Sequence, residues 1–447
     1  MLSTGQTREL LRMALPMVVS QSAFALMVFT DRFFLSRIDA LHIASALGGG
    51  VTFFVSVSLF IGIMSYATAL VAQYYGSGQL EKCPRVLTQG AIMALACQPL
   101  LLVIAWGMGG LFSTMGHPPE QVVLERQYYF VMMSGAFFAL LKACVAGYFC
   151  GIGKTRVVMI TDVLGVLINI PLTWALIFGK LGFPELGIRG AALATVIATA
   201  CSLLIYAAFY FNRIHRERFH VADSFRFDPG ILRRYVRLGL PSGFETFVGA
   251  ATFNFFLLLF QSYGIAEGAA MAIVFNWDML NYVPLIGLNI AITSMIGRYV
   301  GARDMTRAGQ LIAAGFSVVL ALFFVLFRYE LMMVFATPGE DFSEIASLGA
   351  SMMLGMATYV VADAVILVCS GVLRGAGDTR WLMNTSMSLH VLMLVAQYVM
   401  IKHLEVGPLV SWWGFVAMLL ALAVVYLLRL RGSTWRKPSR LARVMAD

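Results

Sequence analysis

The stretch YVVADAVILVCSGVLRGAGDTR, residues 359–380, runs from an apolar segment into a glycine-rich, charged turn. Its apolar part carries one carboxylate, Asp363, with no Lys or Arg within ten residues on either side. A lone Asp in an apolar helix is costly and is usually kept for a function. Because Tyr359 precedes Asp363 by four residues, both side chains lie on one helix face. The pattern indicates that this face lines a cation-binding cavity inside a membrane.

The composition places the whole chain in a membrane. Of its 447 residues, 60% are hydrophobic and 12% are charged, whereas a soluble protein has about 25% charged residues. Apolar runs longer than about 18 residues recur from end to end, which predicts an all-α polytopic protein. The net charge of +9 is spread between the runs, so nucleic-acid binding is not expected. The six cysteines show no metal-ligand spacing, and no cofactor is expected.

The apolar runs predict twelve transmembrane helices. Of the 32 Lys and Arg residues, 24 fall in alternate connections that include both ends of the chain. The positive-inside rule then places both termini in the cytoplasm of a cell whose inner or plasma membrane holds the protein. The predicted spans are 12–36, 46–72, 87–113, 127–150, 157–179, 188–211, 236–260, 271–297, 309–336, 345–371, 381–402 and 408–430.

The chain also predicts two related halves. LRMALP at 11–16 matches VRLGLP at 236–241, and GIGKTR at 151–156 matches GAGDTR at 375–380. The offsets of 225 and 224 residues indicate a duplicated six-helix unit. An even number of helices relates the two units by an axis along the membrane normal, with a substrate site between them.

The predicted domains follow from this duplication. An N-terminal lobe spans 1–211 and carries helices 1 to 6, and a C-terminal lobe with a basic tail spans 235–447. The strongly basic connection 212–234 is interpreted as a cytoplasmic linker held near anionic headgroups.

Three segments carry a resemblance to a known family: LPSGFETF at 240–247, GRYVGARD at 297–304 and GVLRGAGDTR at 371–380. Together with the two linked halves, they resemble the multidrug and toxic compound extrusion (MATE) transporters, most closely the NorM-like branch. The resemblance covers essentially the whole chain. It implies a twelve-helix, two-lobed fold of the MATE/MOP type and export of organic, often cationic compounds against Na⁺ or H⁺.

Glu245 and Asp363 are the leading candidates for the coupling ion. Each lies eight or nine residues from the predicted cytoplasmic end of its span, so both are expected near the midplane. Two carboxylates and the oxygen of Tyr359 could hold Na⁺, or the pair could carry a proton. The resemblance implies the same three residues. The alternative is a buried carboxylate paired with a basic residue, for which only Lys142 is placed within a span.

Three further polar residues are candidates for a substrate site or a second cation site. Asp31 resembles the acidic residue that many MATE proteins carry in their first helix, although a salt bridge with Arg32 is the alternative. Asn169 resembles an Asn of their fifth helix, but Thr173 stands where many relatives have an acidic residue. Asp278 lies in the polar run NWDMLNY and could contact a cationic substrate or belong to an interfacial cluster with Trp277.

Pro16 and Pro241 occupy matching positions in the first and seventh spans. Proline removes a backbone hydrogen bond and bends a helix. Bending of these helices is a natural gating element in the resembled family, and a fixed kink is the alternative.

The function expected from the sequence is a cation-coupled antiporter that exports organic cations by alternating access, acting as a monomer. A flippase for a lipid-linked substrate shares the architecture but is expected to carry a basic cavity. An enzyme is not expected, because HExxH, GxSxG and paired-His motifs are absent from the sequence. A channel lacks its filter repeat.

Overall fold

The structure is a computed structural model that describes residues 4–114, 118–302, 326–333, 343–432 and 434–437. Within these ranges the regular elements are all helical. The α-helices are α1 (Thr4–Ser36), α2 (Ala40–Ser65), α3 (Ala67–Gly76), α4 (Lys82–Leu111), α5 (Pro119–Ser134), α6 (Ala136–Gly151), α7 (Thr155–Phe178), α8 (Ile188–Tyr210), α9 (Arg213–Phe219), α10 (Pro229–Gln261), α11 (Ile265–Gly301), α12 (Arg328–Met333), α13 (Ser343–Gly375), α14 (Thr379–Lys402) and α15 (Pro408–Arg431).

These helices confirm the predicted all-α polytopic fold. In the described ranges, ten segments are long and apolar enough to cross a membrane, and the pair α5–α6, bent by 50°, makes an eleventh. The second span consists of α2 and α3 together. The predicted ninth span, 309–336, lies mostly outside the described residues.

The apolar cores broadly follow the two halves of the chain, and the first turns of α10, with Tyr235, join the core of the first half. In the first half, helices α2 to α8 pack around side chains that include Tyr129 and Tyr148. In the second half, α10, α11, α13 and α15 pack around Phe256 and Trp412. The start of α1 joins the second half, because Leu10 packs with α11 and α13.

Glycines bring the two halves into close contact. A Cβ at Gly243 of α10 would lie 2.4 Å from the backbone oxygen of Leu59 on α2. A Cβ at Gly301 of α11 would lie 2.1 Å from the backbone oxygen of Gln73 on α3. Small residues at crossing points are the usual means by which helices associate in lipid, where no hydrophobic effect drives them together.

Polar contacts join the halves beside the two glycine-rich turns. Gln73 donates through Nε2 to the carbonyl of Gly375 at 2.9 Å and accepts a bond from the buried Arg234 at 2.7 Å. Ser294 donates to the carbonyl of Cys150 at 2.6 Å. These bonds hold the halves together at the end of the bundle where the turns lie.

The matching turns GIGKTR and GAGDTR have the same geometry. Gly153 and Gly377 adopt positive φ angles of 79° and 78°, which glycine accepts without strain. In both turns the following amide, of Lys154 or Asp378, donates to the carbonyl five residues earlier at 2.8 Å. The structural repeat therefore extends to individual hydrogen bonds.

The connection between the halves is folded onto the first half. The ring of His215 on α9 is buried and lies 2.9 Å from the hydroxyl of Tyr148. Gln89 on α4 donates to the carbonyl of Arg226 at 2.8 Å and accepts from the amide of Asp228 at 3.2 Å. The segment is thus a docked connector with its own contacts to protein.

The end of this connector leads directly into the second half. The side chain of Asp228 accepts a hydrogen bond from the amide of Ile231 and caps α10. Because α10 begins at Pro229, the last residues of the predicted linker 212–234 already belong to this helix.

Candidate ion and substrate site

Helices α11 and α13 pack side by side and are joined by side-chain hydrogen bonds. Asn289 donates to the hydroxyl of Ser370 at 3.0 Å, across 81 residues of sequence. One turn further on, Thr293 donates to the carbonyl of Gly371 at 3.2 Å. Residue numbers therefore increase in the same direction along both helices, which are parallel.

Further along the same pair of helices, Asp278 lies near Tyr359, and Tyr282 lies within electrostatic range of Asp363. Each helix carries one Asp and one Tyr a single turn apart, in opposite order. The two carboxylates consequently lie diagonally across the helix pair. Asp278 is 6% exposed, Asp363 8% and Tyr359 1%.

The hydroxyl of Tyr359 lies beside the carboxylate of Asp278 and interacts with it. The charges of Asp278 and Asp363 act on each other and on Tyr359. The Tyr359 ring packs against Trp412 and Phe415 with centroids 6.1 and 5.9 Å away, so its hydroxyl is held in place.

Glu245 has a basic partner, and this partner is not Lys142, the base that the sequence placed within a span. Nη2 of Arg374 lies 3.0 Å from Oε2 of Glu245, and both side chains are largely buried. Arg374 also approaches Oδ1 of Asn289 at 3.4 Å. The phenol of Tyr282 is within electrostatic range of both the Glu245–Arg374 pair and Asp363.

The sequence reasoning missed Arg374 because the span was ended too early. The predicted span closed at residue 371, whereas α13 continues to Gly375. Arg374 follows Asp363 by 11 residues, about three turns, and therefore lies on the same helix face. The spacing of 11 residues could have shown that Arg374 shares a helix face with Asp363. It separates the Cα atoms of Arg374 and Asp363 by about 16 Å along the helix axis.

In the first half, Asp31 is bound by hydroxyl groups and not by Arg32. Thr173 on α7 and Thr195 on α8 each donate to one carboxylate oxygen of Asp31 at 3.0 Å. Asp31 is 8% exposed. Thr173, which replaces the acidic residue of many relatives, thus joins the Asp31 cluster as a neutral donor, and Thr195 was not anticipated from the sequence.

Asn169 lies beside this cluster. Its Nδ2 is 3.5 Å from the Thr195 hydroxyl, and its buried Oδ1 has no hydrogen-bonding partner among the described residues. The structure therefore brings Asp31 and Asn169 together through Thr195.

Lys142 also has a partner, which is Asp162. Its Nζ lies 3.0 Å from Oδ1 of Asp162, and the hydroxyl of Ser20 donates to the other oxygen. Asp162 follows Lys154 and Arg156 closely in sequence, but its ion pair is with Lys142 on the neighbouring helix α6.

Both predicted kink residues lie inside continuous helices. Pro16 is within α1 and Pro241 within α10, one turn before Glu245. A crevice of about 300 Å³ beside Pro241 is lined by α10 and α14, including Phe244 and Met383.

The buried polar clusters described above offer a small number of oxygen ligands. No group of three or more His, Cys, Asp or Glu residues that could hold a metal ion occurs in the described part of the chain. Two carboxylates with phenol oxygens suit a monovalent cation or a proton better than a divalent ion, which takes six or more oxygens.

The chain is similar to known transporters along its whole length. The MatE family model matches residues 16–175 and 241–399. A MOP superfamily transporter from Pyrococcus furiosus is 24% identical, with a TM-score of 0.85 over 96% of each chain. An outward-facing multidrug resistance MATE transporter is 22% identical, with a TM-score of 0.85 over 98% of this chain and 96% of its own. The eukaryotic MATE transporter AtDTX14 is 19% identical, with a TM-score of 0.85 over 98% and 99%.

Proposed function

The chain belongs to the MatE family of transporters, and from this membership we propose that it is a secondary active antiporter that exports organic cations in exchange for Na⁺ or H⁺. It is a multi-pass membrane protein and not an enzyme. We further propose that it acts as a monomer in the inner or plasma membrane, with both termini in the cytoplasm. Its place in the NorM-like branch stays a prediction.

The observation that carries the proposed coupling is the burial of Asp363 without a basic partner. Asp363 is 8% exposed, and among the described residues the charge that acts on it is that of a second carboxylate, Asp278. A buried carboxylate in this setting is stable only when it binds a cation or a proton. An ion that enters and leaves with the gradient meets this need and supplies the driving force.

The three residues of the expected cation site contribute differently to this proposal. Asp363 and Tyr359 keep the role of ion ligands, since neither has a basic partner. Glu245 is already neutralised by Arg374 at 3.0 Å. In the proposed cycle it therefore stabilises the contact between α10 and α13.

The balance of buried charge supports cationic cargo. Among the described residues, Lys142 and Arg374 are each paired with a carboxylate, and the buried Arg234 bonds to Gln73 where the halves meet. No ion pair joins Asp31, Asp278 or Asp363 to a base in these ranges, so the three carboxylates favour positive compounds. We assign Asp31 and Asn169, whose side chains lie 3.0 and 3.5 Å from the Thr195 hydroxyl, to a second polar site that faces substrate or a second ion.

A flippase for a lipid-linked anionic substrate is the second candidate. Paired Lys142 and Arg374 would both have to release their carboxylates to bind diphosphate, which would leave buried charges uncompensated. The described structure therefore favours the exporter.

The test is transport by the purified protein in liposomes. A fluorescent organic cation is followed while a Na⁺ gradient or a H⁺ gradient is imposed separately. Wild-type protein is expected to move the cation against one gradient, and Asp363→Asn is expected to lose this movement while eluting as a folded monomer. Wild-type transport rates in the Asp363→Asn variant, or no response of the wild type to either gradient, would refute the proposal.

A further inference from the structure

The connector between α8 and α10 has an inner and an outer face. On the inner face His215 and Phe219 are buried against the first half. The His215 ring lies 2.9 Å from the Tyr148 hydroxyl, and the Phe219 ring stacks on Tyr75 with centroids 6.3 Å apart. These contacts fix the direction of the outer face. A ligand that binds the outer face does not have to order the segment first, which lowers the cost of binding.

The outer face carries large apolar side chains. Phe211 is 50% exposed, Ile214 79%, Phe225 59% and Phe227 64%. The rings of Phe211 and Phe225 are nearly parallel, with centroids 6.4 Å apart, so both ends of the connector contribute to one patch. Phe211 directly follows α8, and Phe227 precedes α10 by two residues. The patch therefore lies where two membrane spans end, at the depth of the lipid headgroups.

Two basic side chains lie together on the same connector. Nζ of Lys154, in the turn GIGKTR, is 3.4 Å from Nδ1 of His215, and Nη2 of Arg218 on α9 donates to the Tyr75 hydroxyl at 3.2 Å. Partial burial and then the charge of Arg218 lower the pKa of Lys154, so these two exposed groups are within electrostatic range. Ile214 precedes Arg218 by four residues, which places an apolar and a basic side chain on one side of α9.

The acidic residues of the connector do not neutralise this basic pair. Glu217 pairs with an arginine of its own helix at 2.9 Å, and Asp228 caps α10. In the part of the chain that the structure describes, no ion pair joins Lys154 or Arg218 to an acid, the exposed Asp223 included. Two neighbouring positive charges without a carboxylate favour a bound anion.

We propose that the outer face of the connector binds an anionic phospholipid, with the lipid phosphate between Lys154 and Arg218 and the acyl chains against Phe211 and Ile214. The lipid belongs to the leaflet at the connector's end of the bundle, which is the cytoplasmic leaflet in the orientation proposed above. A phospholipid matches this surface because it joins a negative phosphate to apolar chains, as the connector joins basic groups to an apolar patch at the ends of two spans. The inference goes beyond the proposed antiport and does not depend on it.

The experiment measures lipid binding by the full-length protein in detergent. Thermal unfolding is followed while phosphatidylglycerol or phosphatidylcholine is added, and native mass spectrometry counts the lipids retained. Each basic residue near an anionic surface strengthens binding about fivefold, so the wild type is expected to prefer phosphatidylglycerol by about 25-fold. The double variant Lys154→Gln, Arg218→Gln is expected to lose this preference while keeping its affinity for phosphatidylcholine.

Matched variants separate the parts of the surface. Arg37→Gln with Arg189→Gln removes two exposed charges at the other end of the bundle, where α1 ends and α8 begins, and is expected to keep the wild-type preference. Lys154→Arg with Arg218→Lys retains both charges and is also expected to keep it, which tests the site even if the neutral double variant folds poorly. Ile214→Ser is expected to weaken the binding of both lipids alike.

The remaining outcomes would overturn the proposal. They are equal affinities of the wild type for the two lipids, a wild-type preference in the neutral double variant, or stabilisation by inorganic phosphate as large as that by phosphatidylglycerol. A molar mass of two chains that falls to one in Ile214→Ser would assign the surface to a second copy of the chain instead. A failure of gradient-driven transport would refute the antiport and leave these lipid affinities unchanged.

Discussion

The guanidinium of Arg374 lies 3.0 Å from the carboxylate of Glu245 and ties α13 to α10. The side chains are 23% and 11% exposed. A pair this well buried is stable only while both members are present, because a lone buried charge has neither water nor a counter-ion. The Cα atom of Arg374 lies about three turns along α13 from that of Asp363.

Removal of either member of this pair is expected to destabilise the protein. Arg374→Gln or Glu245→Gln should cost about 3 kcal/mol when the remaining partner keeps its charge. The double variant should cost less than the sum of the two, with a coupling of about 1–3 kcal/mol. Thermal unfolding of all four proteins in detergent measures the cycle. Additive losses would show that the two side chains do not interact in the folded protein.

Close packing of α2 against α10 predicts a sharp difference between two glycines of α10. A Cβ at Gly243 would lie 2.4 Å from the Leu59 oxygen, whereas at Gly249 nothing lies within 4 Å. Gly243→Ala should therefore force the helices apart and lose about 1–3 kcal/mol of stability, together with most transport.

Gly249→Ala is the matched control for that variant. It adds the same methyl group to the same helix, and it should be neutral or slightly stabilising. Equal unfolding temperatures for the two alanine variants would contradict the observed α2–α10 contact.

Hydropathy was enough to predict the helices, because the bilayer requires long apolar runs whatever their partners. Hydropathy could not show which face of each helix is turned toward protein and which toward lipid. Lipid and protein interior are both apolar, so the pattern around α13 does not show that Asp363 turns toward Asp278. The prediction of Glu245 as its companion used equal depth, and depth fails when α13 runs on to Gly375 and brings Arg374 within reach.

Hydroxyl partners were equally hard to foresee. Thr173 and Thr195 look like ordinary helix residues, and their role follows only from the packing of α7 and α8 around Asp31. In contrast, the turns at Gly153 and Gly377 could be predicted from the sequence. Their positive φ angles require glycine locally, and the two turn sequences match each other.

The docked connector is expected to respond to acid through His215. Burial among aromatic rings, then the charges of Lys154 and Arg218, lower the pKa of His215 from 6.5 to about 4. The unfolded chain therefore binds the proton more readily than the folded one, and stability falls as the pH drops from 6.5 toward 4. Above pH 6.5 the ring is neutral in both states and the contribution is complete.

The variant His215→Gln tests this acid response, because glutamine does not titrate. The wild type is expected to lose more thermal stability than this variant between pH 6.5 and 4, and the two curves should run in parallel above pH 7. A curve for His215→Gln that falls as steeply as the wild type in acid would show that other groups account for the loss.

Pro241 is expected to act as a hinge, because it interrupts the hydrogen bonds of α10 one turn before Glu245 and beside a crevice of about 300 Å³. Pro241→Ala restores the bond and should stiffen the helix, so the transport rate should fall severalfold while substrate binding changes little. Pro99→Ala is the control, since Pro99 also lies inside a helix, α4, but on an exposed side. Liposome transport rates and substrate affinities of both variants make the comparison. Unchanged transport in Pro241→Ala would mean that the proline sets a fixed kink, and that the bending of α10 is not part of the cycle.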